Sequence, residues 1–387
     1  MCARFGTVFE TCGAMRRNCL LRPRGTNIME KILIIGNGFD LNLGFQTSYN
    51  DFLSSDRFRM LADGDNQLAH YLSKTNQYNQ QTNINWVDIE HELKTFSAIV
   101  SNYEKHSENQ FVSDLIQHYQ TLFPSSPRRL MDIPDHSSYV KSRFEQELDN
   151  YFNTAQINFK QWFVELKATL CEHLQQVTTA TQTGSDTRDA FRLLRFGKLF
   201  NKSNDYCDFN TAQLSSVCEF SSIYTFNYTN ALSLINFENS EFGENTNIHF
   251  MHGSLKAKNI VFGVEDGGVD NQFMFLTKSA HAAFGQAPDI SVAMLAADEI
   301  HVFGCSLGDT DNAHFKHPFT ELSKRRNLER TTKIIFYVFG KNGYQNILNR
   351  ILFLTDGRMS EFKITNDVTF FDLESRQVID QQWINQL

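Results

Sequence analysis

The chain has 387 residues, of which 41% are hydrophobic and 21% charged, and its formal net charge is −8. This balance is typical of a soluble globular protein of two or three domains, and the acidic charge disfavours nucleic-acid binding through phosphate neutralisation. The seven cysteines include no CxxC pair and no apolar run reaches the length of a bilayer, so we expect a cytoplasmic location, no bound metal and no membrane partner.

Residues 1–28 differ in character from the rest of the chain. They show no hydrophobic periodicity, carry several arginines and lack the long apolar region of a secretory signal. Met29 then precedes a first core strand. We therefore expect 1–28 to be a disordered tail, or Met29 to be the natural start. N-terminal sequencing of the native protein would separate the two, because a peptide from before Met29 excludes the later start.

The segment KILIIGNGFDLNLG, residues 31–44, reads as a buried strand, a glycine turn and the start of a helix. Such a corner can bind phosphate, because glycines let the backbone approach the ligand and a helix N-terminus favours anions. The third glycine of the pattern GxGxxG is missing, since Leu41 stands there, and an ordinary tight turn is the alternative. Asp40 is either a first-turn carboxylate or a ligand of a hydroxyl group. The candidate nucleotide-binding residues of this corner are Gly36, Asn37, Gly38, Phe39 and Asp40.

Hydrophobic periodicity predicts two helices in the middle of the chain. Apolar residues recur at steps of three and four over 86–103 and again over 144–174, which places them on one helix face. The second run contains no Pro or Gly and predicts one long amphipathic helix. We therefore predict a mostly helical insertion at 86–198, with the core of the fold formed by 29–85 and 199–387.

From about residue 219 the pattern changes to short apolar segments, each followed by Gly, Asn or Asp. Strands buried on both faces of a parallel sheet have this form. The segments are SSIYTFNYTN, NIHFMHGS, NIVFGVEDGG, EIHVFGCSLGDTD and KIIFYVFGKNG. With the first strand they predict an α/β fold, a Rossmann-like and mostly parallel sheet flanked by helices. Ligands of such sheets bind at the carboxyl ends of the strands, so the residues after each strand are the candidates for chemistry.

Two side chains with catalytic chemistry follow predicted strands. Asn227 in YTFNYTN carries an amide that can hold a water or a ribose hydroxyl, and an Asx turn or helix cap is the alternative. His252 in HFMHGS stands at the end of the next strand and can act as a general base near neutral pH. His249 lies on the opposite strand face and is assigned a structural role.

The segment VFGCSLGDTDNAHF, residues 302–315, places small residues at the end of another strand. Gly304 and Ser306 leave room there for an adenine or a ribose. Asp309 is a further candidate for the nucleotide site, with turn formation as the alternative. For Asp311 we favour capping of the following helix. No convincing set of metal ligands is present in this segment.

Taken in order, these motifs resemble the AbiH abortive-infection family of bacterial phage defence. The similarity lies in ILIIGNGFDLNLGFQTSYNDFL, WVDIEHEL, TFNYTN, IHFMHGS, IVFGVED and VFGCSLGDTD. The family in turn resembles a branch of the sirtuin-like fold. Thr225 and Asn227 match its Thr-x-Asn element, and His252 and Gly253 match its His-Gly element. Thr229 stands in place of the usual acidic residue two positions after the Asn.

The resemblance implies an effector that cleaves the bond between nicotinamide and ribose in NAD, through a transition state like that of glycoside cleavage. Asn227 would hold the ribose and a water, His252 would act as base, and the backbone N–H groups of Gly36 and Gly38 would hold the pyrophosphate. The four-cysteine zinc module of sirtuin deacetylases is missing, so we expect hydrolysis to nicotinamide and ADP-ribose. The remaining nucleotide-binding candidates are Thr225, Gly253, Gly304, Ser306 and Asp309.

Two alternatives to an NAD glycohydrolase stay open on the sequence alone. One is a module that senses a nucleotide without turning it over, and the other is a toxin that acts through protein contacts of the helical insertion. NAD or a related nucleotide is the expected small-molecule partner, as a substrate. Because uncontrolled NAD loss would kill the host, we also expect a phage-derived trigger or a homo-oligomer to regulate activity.

Overall fold

The computed structural model of the protein describes most of the chain. The described residues are 29–82, 87–122, 143–179, 189–196, 199, 220–234, 246–281, 284–286, 288–325 and 331–380. The predictions for 1–28 lie outside the described residues, as does residue 86, the start of the first predicted helical run.

Seven strands form one sheet. They are β1 (Lys31–Ile35), β2 (Ser222–Thr225), β3 (Asn247–Phe250), β4 (Glu299–Phe303), β5 (Lys333–Val338), β6 (Asp367–Asp372) and β7 (Gln377–Val378). Their order across the sheet is β3-β2-β1-β4-β5-β6-β7. Every pair from β3 to β6 is parallel, and β7 is antiparallel to β6.

Helices lie between the strands along the chain. Those before β2 are α1 (Asn37–Asn42), α2 (Tyr49–Leu53), α3 (Asp56–Ala62), α4 (Gln67–Gln81), α5 (Ile89–Ser101), α6 (Gln110–Leu122), α7 (Arg143–Thr179) and α8 (Asp189–Phe196). Those after β2 are α9 (Ala231–Leu234), α10 (Ile290–Ala296), α11 (Asn312–Lys324), α12 (Gly340–Leu354) and α13 (Met359–Thr365). The prediction of an α/β fold with a mostly parallel sheet flanked by helices is confirmed.

Both faces of the sheet are covered, which β1 shows most clearly. Ile32 and Ile34 pack in a cluster with residues of α10, α11 and α12. Leu33 and Ile35, which point to the opposite face, pack in a second cluster with residues of α1 and α8. Because both faces are buried, the strand needs apolar residues at every position rather than an alternating pattern.

The helices between β1 and β2 include the two that periodicity predicts, α5 and the long α7, and both are confirmed. Helices α2 to α7 share a hydrophobic cluster. At its centre the ring of Phe159 lies 5.2 Å from that of Phe96 and 5.0 Å from that of Phe273. Burial of each such ring stabilises the fold by roughly 1.5–3 kcal/mol. The predicted domain boundaries stay a prediction.

One predicted strand is wrong. The segment NIVFGVEDGG forms no strand of the sheet, and Val264 makes only an isolated bridge with Thr277. Gly263 has φ +157°, and a Cβ there would lie 2.1 Å from the carbonyl oxygen of Leu276. The backbone therefore packs against the segment at Leu276 at the position where a strand would have to continue. Phe262 packs into the helical cluster instead of the sheet. Conversely, β6 is a strand that the sequence patterns do not mark.

Within the described parts of the chain, no helix combines the length and the apolar character that crossing a membrane would require.

Candidate functional site

The candidate site lies where four strands end. β1 pairs with β2 on one side and with β4 on the other, and β2 pairs with β3. The carboxyl ends of these parallel strands therefore meet at one edge of the sheet. The strand order changes direction at β1, and ligands of open α/β sheets bind at such a point.

The glycines of this corner pack backbone against backbone. A Cβ on Gly38 would lie 2.6 Å from the Cα of Gly304, and a Cβ on Gly36 would lie 2.6 Å from the Cα of Cys305. The N–H of Gly36 donates to Phe303 O at 3.1 Å, and that of Gly38 donates to Gly304 O at 3.0 Å. Both N–H groups therefore form hydrogen bonds that join the turn to the end of β4. The sequence predicts that these N–H groups bind a pyrophosphate. In the structure both donate to backbone carbonyls instead.

Asp40, on the first turn of α1, is completely buried and receives two side chains from the segment after β2. Asn227 Nδ2 donates to Asp40 Oδ1 at 2.7 Å and to Gly36 O at 3.0 Å. The hydroxyl of Thr229 donates to Asp40 Oδ2. Burial raises the pKa of Asp40 to about 7, although the hydrogen bonds from Thr229 and Asn227 act to lower it. This group is called the Asp40 cluster (Asp40, Asn227, Thr229).

The other residues of the same segment face a second group. The ring centroids of Phe226 and Tyr228 lie 5.4 Å and 6.3 Å from that of His252. The segment therefore places amide and hydroxyl groups on the Asp40 side and aromatic rings on the His252 side. The segment contains Asn227 and packs against His252, the two predicted catalytic residues. Among the described residues, no hydrogen bond joins these two side chains directly.

His252 follows β3 and is 5% exposed. It contacts Asp311, for which the sequence predicts a role as helix cap. Its Nε2 lies 2.9 Å from Asp311 Oδ1. Asp311 occupies the N-cap position of α11 but its side chain makes no capping hydrogen bond, so the predicted capping role is wrong. The carboxylate contacts His252 and Lys278 instead of the N–H groups of the helix. A carboxylate on one ring nitrogen fixes the tautomer and leaves the other, Nδ1, as proton acceptor.

A buried lysine lies beside this pair. Lys278 Nζ is 3.2 Å from Asp311 Oδ1, 3.1 Å from Glu90 Oε2, and donates to Thr310 O at 2.9 Å. Glu90 Oε1 in turn accepts from the hydroxyl of Tyr228 at 3.4 Å, and from that of Tyr49. We call His252, Asp311, Lys278 and Glu90 the His252 network.

Within this network Lys278 and Asp311 each favour the charged form of the other. Burial acts to raise the pKa of Asp311, but the charge of Lys278 and the contact with His252 outweigh it and hold the pKa below its ordinary value. Burial acts to lower the pKa of Lys278, but Asp311 and Glu90 raise it above its ordinary value. Burial raises the pKa of Glu90, with Lys278 opposing. Asp311 therefore stays ionised and can stabilise a protonated His252.

Several predicted nucleotide-binding residues after β2, β3 and β4 belong to neither group. Gly253 has φ +68° and its position is fixed by the turn, since a Cβ there would meet Asn259 O at 2.2 Å. The side chain of Asp309 is 80% exposed and pairs with Arg350, while Ser306 is exposed. Thr225 ends β2 and its Oγ1 accepts from the N–H of Asn227 at 3.2 Å, so its contact supports the Asp40 cluster.

Other candidates have structural surroundings. His249 lies tilted against Tyr224 with ring centroids 4.9 Å apart. Cys305 is buried, and burial raises the pKa of its thiol to about 12, as expected of a core thiol. In the described ranges no group of three or more His, Cys, Asp or Glu side chains is arranged to hold a metal ion. Asn37 Oδ1 accepts from the hydroxyl of Thr47 at 2.6 Å, and Phe39 is part of the core.

The site contains two charged residues that are not among the candidates predicted from the sequence, Glu90 and Lys278. Glu90 lies in WVDIEHEL, a motif of the family resemblance, so a signal for it exists. No sequence signal marks Lys278, which sits on a short 3₁₀ turn, Lys278–Ala280. Together the residues provide an imidazole held by a carboxylate and, on the neighbouring strand end, an amide hydrogen-bonded to the buried carboxyl group of Asp40.

Comparison with known proteins gives one match. The family model described as "Bacteriophage abortive infection AbiH" matches residues 32–337. No curated protein sequence matches the chain, and no solved structure matches it. The matched range runs from β1 into β5 and contains both the Asp40 cluster and the His252 network.

Proposed function

The chain belongs to the AbiH family of bacteriophage abortive infection proteins, and from this premise we propose that it is an effector that hydrolyses NAD to nicotinamide and ADP-ribose. The observation that carries the proposal is the 2.9 Å contact between His252 Nε2 and Asp311 Oδ1, next to the strand end that bears Asn227. A buried histidine held by a carboxylate at the carboxyl edge of a parallel sheet is a general base in a ligand-binding position.

The strand order supports a dinucleotide as the ligand. The sequence of strands β3-β2-β1-β4-β5-β6 is that of the doubly wound fold, which binds dinucleotides across the crevice at the switch point. This strand order supports the Rossmann-like type of sheet, and we propose that it is of the sirtuin-like branch. Fold alone does not give the chemistry, and the reaction is argued from the site.

The reaction needs water as nucleophile and nicotinamide as leaving group. The bond between C1′ of the ribose and N1 of the nicotinamide breaks, and its electron pair neutralises the charge of the pyridinium ring. The oxygen of water forms the new bond to C1′ and gives one proton to Nδ1 of His252. Asp311 stabilises the imidazolium that forms, since the ion pair is shielded from solvent. The products are nicotinamide, ADP-ribose and a proton.

Asn227 is assigned the positioning of ribose and water through its carbonyl oxygen. Its amide nitrogen is used by Asp40 and by Gly36 O, so Oδ1 is the atom that remains for a hydroxyl donor. Asp40 holds the amide in one orientation. Because reacting groups must be oriented before the bond breaks, a fixed amide lowers the entropic cost of reaching the transition state.

One observation favours a second candidate, a toxin that acts through protein contacts of the helical insertion while the glycine corner is only structural. The N–H groups of Gly36 and Gly38 both donate to backbone carbonyls, so the turn lacks two donors that the expected pyrophosphate site needs. If other residues bind the pyrophosphate of NAD, the proposed hydrolysis is unaffected. If NAD is neither bound nor cleaved, the corner is a structural turn and the toxin is the supported alternative.

The test is incubation of purified protein with NAD and quantification of nicotinamide and ADP-ribose by chromatography, with and without lysate of phage-infected cells. We expect release by the wild type and loss of release in His252→Ala. His249→Ala is the matched control, because His249 lies outside the His252 network. Binding of NAD without release supports the sensor. Release that continues in a folded His252→Ala variant contradicts the assigned base.

A further inference from the structure

A cavity of 420 Å³ opens beside the His252 network. Its volume falls in the range of roughly 300–1,000 Å³ that is usual for small-molecule sites. Lys278 contributes to both the cavity wall and the network, and Thr310 and Asn312 flank Asp311 in the chain. The residues that line it are Glu265, Asp266, Gly267, Lys278, Phe284, Thr310, Asn312, Ala313, His314 and Lys316.

The cations of the cavity wall already have acidic partners. Lys278 is paired with Glu90 and Asp311. Lys316 Nζ lies 2.6 Å from Asp356 Oδ1 and donates to Phe353 O at 2.6 Å. Neither ammonium group is therefore left to balance an anionic ligand. A phosphate would meet the carboxylates of the wall without a free cation, and its binding there is disfavoured.

In the same wall, the carboxylate of Glu265 has one oxygen without a hydrogen-bond donor among the described residues. Burial raises the pKa of Glu265, and the charge of Lys278 and a backbone hydrogen bond from Asn312 oppose this. The oxygen without a donor is Oε1, which is shielded from solvent. A buried carboxylate oxygen without a donor is costly, and such a group in a cavity points to a donor that a ligand brings. Phe284 adds an exposed aromatic face to the lining.

We propose that this cavity binds the nicotinamide ring of the substrate, with Glu265 Oε1 accepting a hydrogen bond from the carboxamide NH₂ and Phe284 packing on the ring. The inference rests on the proposed function and assigns a place to the leaving group. A pyridinium carboxamide matches the wall in three respects: its ring is flat and can stack on an aromatic face, it carries a positive charge, and it offers an N–H donor.

The same arrangement gives the site a preference for the charged form of the ring. Carboxylates attract the cationic ring of NAD and gain nothing from the neutral dihydronicotinamide ring of its reduced form. They also repel the carboxylate of nicotinic acid. The cavity therefore distinguishes ligands by charge at constant shape, which a purely apolar pocket cannot do.

Titration calorimetry tests the proposal with 1-methylnicotinamide, a cationic carboxamide that has no bond for the enzyme to break. We expect saturable binding to the wild type and an affinity about tenfold lower in Glu265→Gln and in Phe284→Ala, which remove a charge-assisted hydrogen bond and the ring contact. Glu108→Gln, at an exposed position on the described part of the chain, is the matched control and should bind as the wild type does. Circular dichroism checks that each variant is folded.

The outcomes separate this inference from the proposed function. No binding of 1-methylnicotinamide, equal binding of nicotinic acid, or unchanged affinity in both folded variants overturns the cavity assignment, even if NAD is hydrolysed. Binding that depends on Glu265 supports the cavity assignment, and absence of nicotinamide release from NAD then counts against the proposed hydrolysis alone.

Discussion

Asp311 Oδ1 lies 2.9 Å from Nε2 of His252 and 3.2 Å from Nζ of Lys278. One carboxylate, on the loop that follows β4, therefore joins the histidine after β3 to a buried cation. In the proposed mechanism Asp311 is therefore the positioning residue, because its carboxylate can fix the tautomer of His252 and stabilise the protonated ring that forms.

Asp311→Asn is predicted to lower the rate of NAD hydrolysis by roughly 100-fold or more, the range that general acid–base catalysis contributes. The neutral amide can hold the imidazole in the wrong tautomer and cannot stabilise its charge. Initial rates of nicotinamide release measure the effect, and Asp56→Asn is the control, because Asp56 pairs with Arg59 on the surface. A folded Asp311→Asn variant with the wild-type rate would remove Asp311 from the mechanism.

Lys278→Met is predicted to lower the free energy of unfolding by about 3 kcal/mol or more, because it leaves two buried carboxylates without their cation. Glu90→Gln together with Lys278→Met should cost less than the sum of the single changes, since both remove the same ion pair. Urea unfolding of the four proteins gives the coupling, with Lys324→Met as an exposed control. Additive losses would show that the 3.1 Å contact of Lys278 with Glu90 contributes no coupling.

Asp40 is predicted to make stability fall as the pH rises from about 4 to about 7. The pKa of its carboxyl is about 7 in the folded protein against 3.8 as the ordinary value. The folded state therefore keeps a proton that the unfolded state releases, and unfolding becomes more favourable with rising pH across that window. Below the window both states are protonated, and above it both are ionised.

The size of this effect is about 1.4 kcal/mol for each pH unit inside the window. Unfolding by urea at pH 5, 6 and 8 should show a shallower pH dependence in Asp40→Asn than in the wild type. Asp63→Asn, a change at an exposed carboxylate, should keep the wild-type slope. If the free energy of unfolding depends on pH equally in the wild type and in Asp40→Asn, the raised pKa of Asp40 is contradicted.

Gly38→Ala is predicted to destabilise the protein by about 2 kcal/mol, the typical cost of forcing an added methyl group into a packed position. The new Cβ would lie 2.6 Å from the backbone of Gly304, which cannot rotate away. Gly64→Ala is the control, since its Cβ would meet no atom closer than 3.5 Å. Thermal unfolding compares the two, and equal melting temperatures would show that the corner is not closely packed.

The sequence predicts what local patterns encode. The long helix α7 follows from apolar residues at steps of three and four, and β1, β2 and β4 follow from buried apolar runs before Gly, Asn or Ser. The segment around Phe262 has the same local pattern as these strands. It fails as a strand because Gly263 and the helical cluster set its path, and tertiary contacts override local preference.

The candidate site is harder to predict because its contacts join distant parts of the chain. Asp311 stands before a helix, where capping is the ordinary local role, and only the neighbouring end of β3 shows that it binds His252. The Thr229 position is a similar case. The sequence lacks an acidic residue there, and Thr229 instead donates a hydrogen bond to the carboxylate of Asp40, which is far away in the chain.

The most direct test of the account is the NAD content of bacteria that carry this protein and are infected by a phage it blocks. Cells with the wild type should lose NAD before lysis, while cells with His252→Ala should keep NAD and lose protection, and His249→Ala cells should behave as the wild type. Protection of wild-type cells with an unchanged NAD content would contradict the account and leave the site without its proposed reaction.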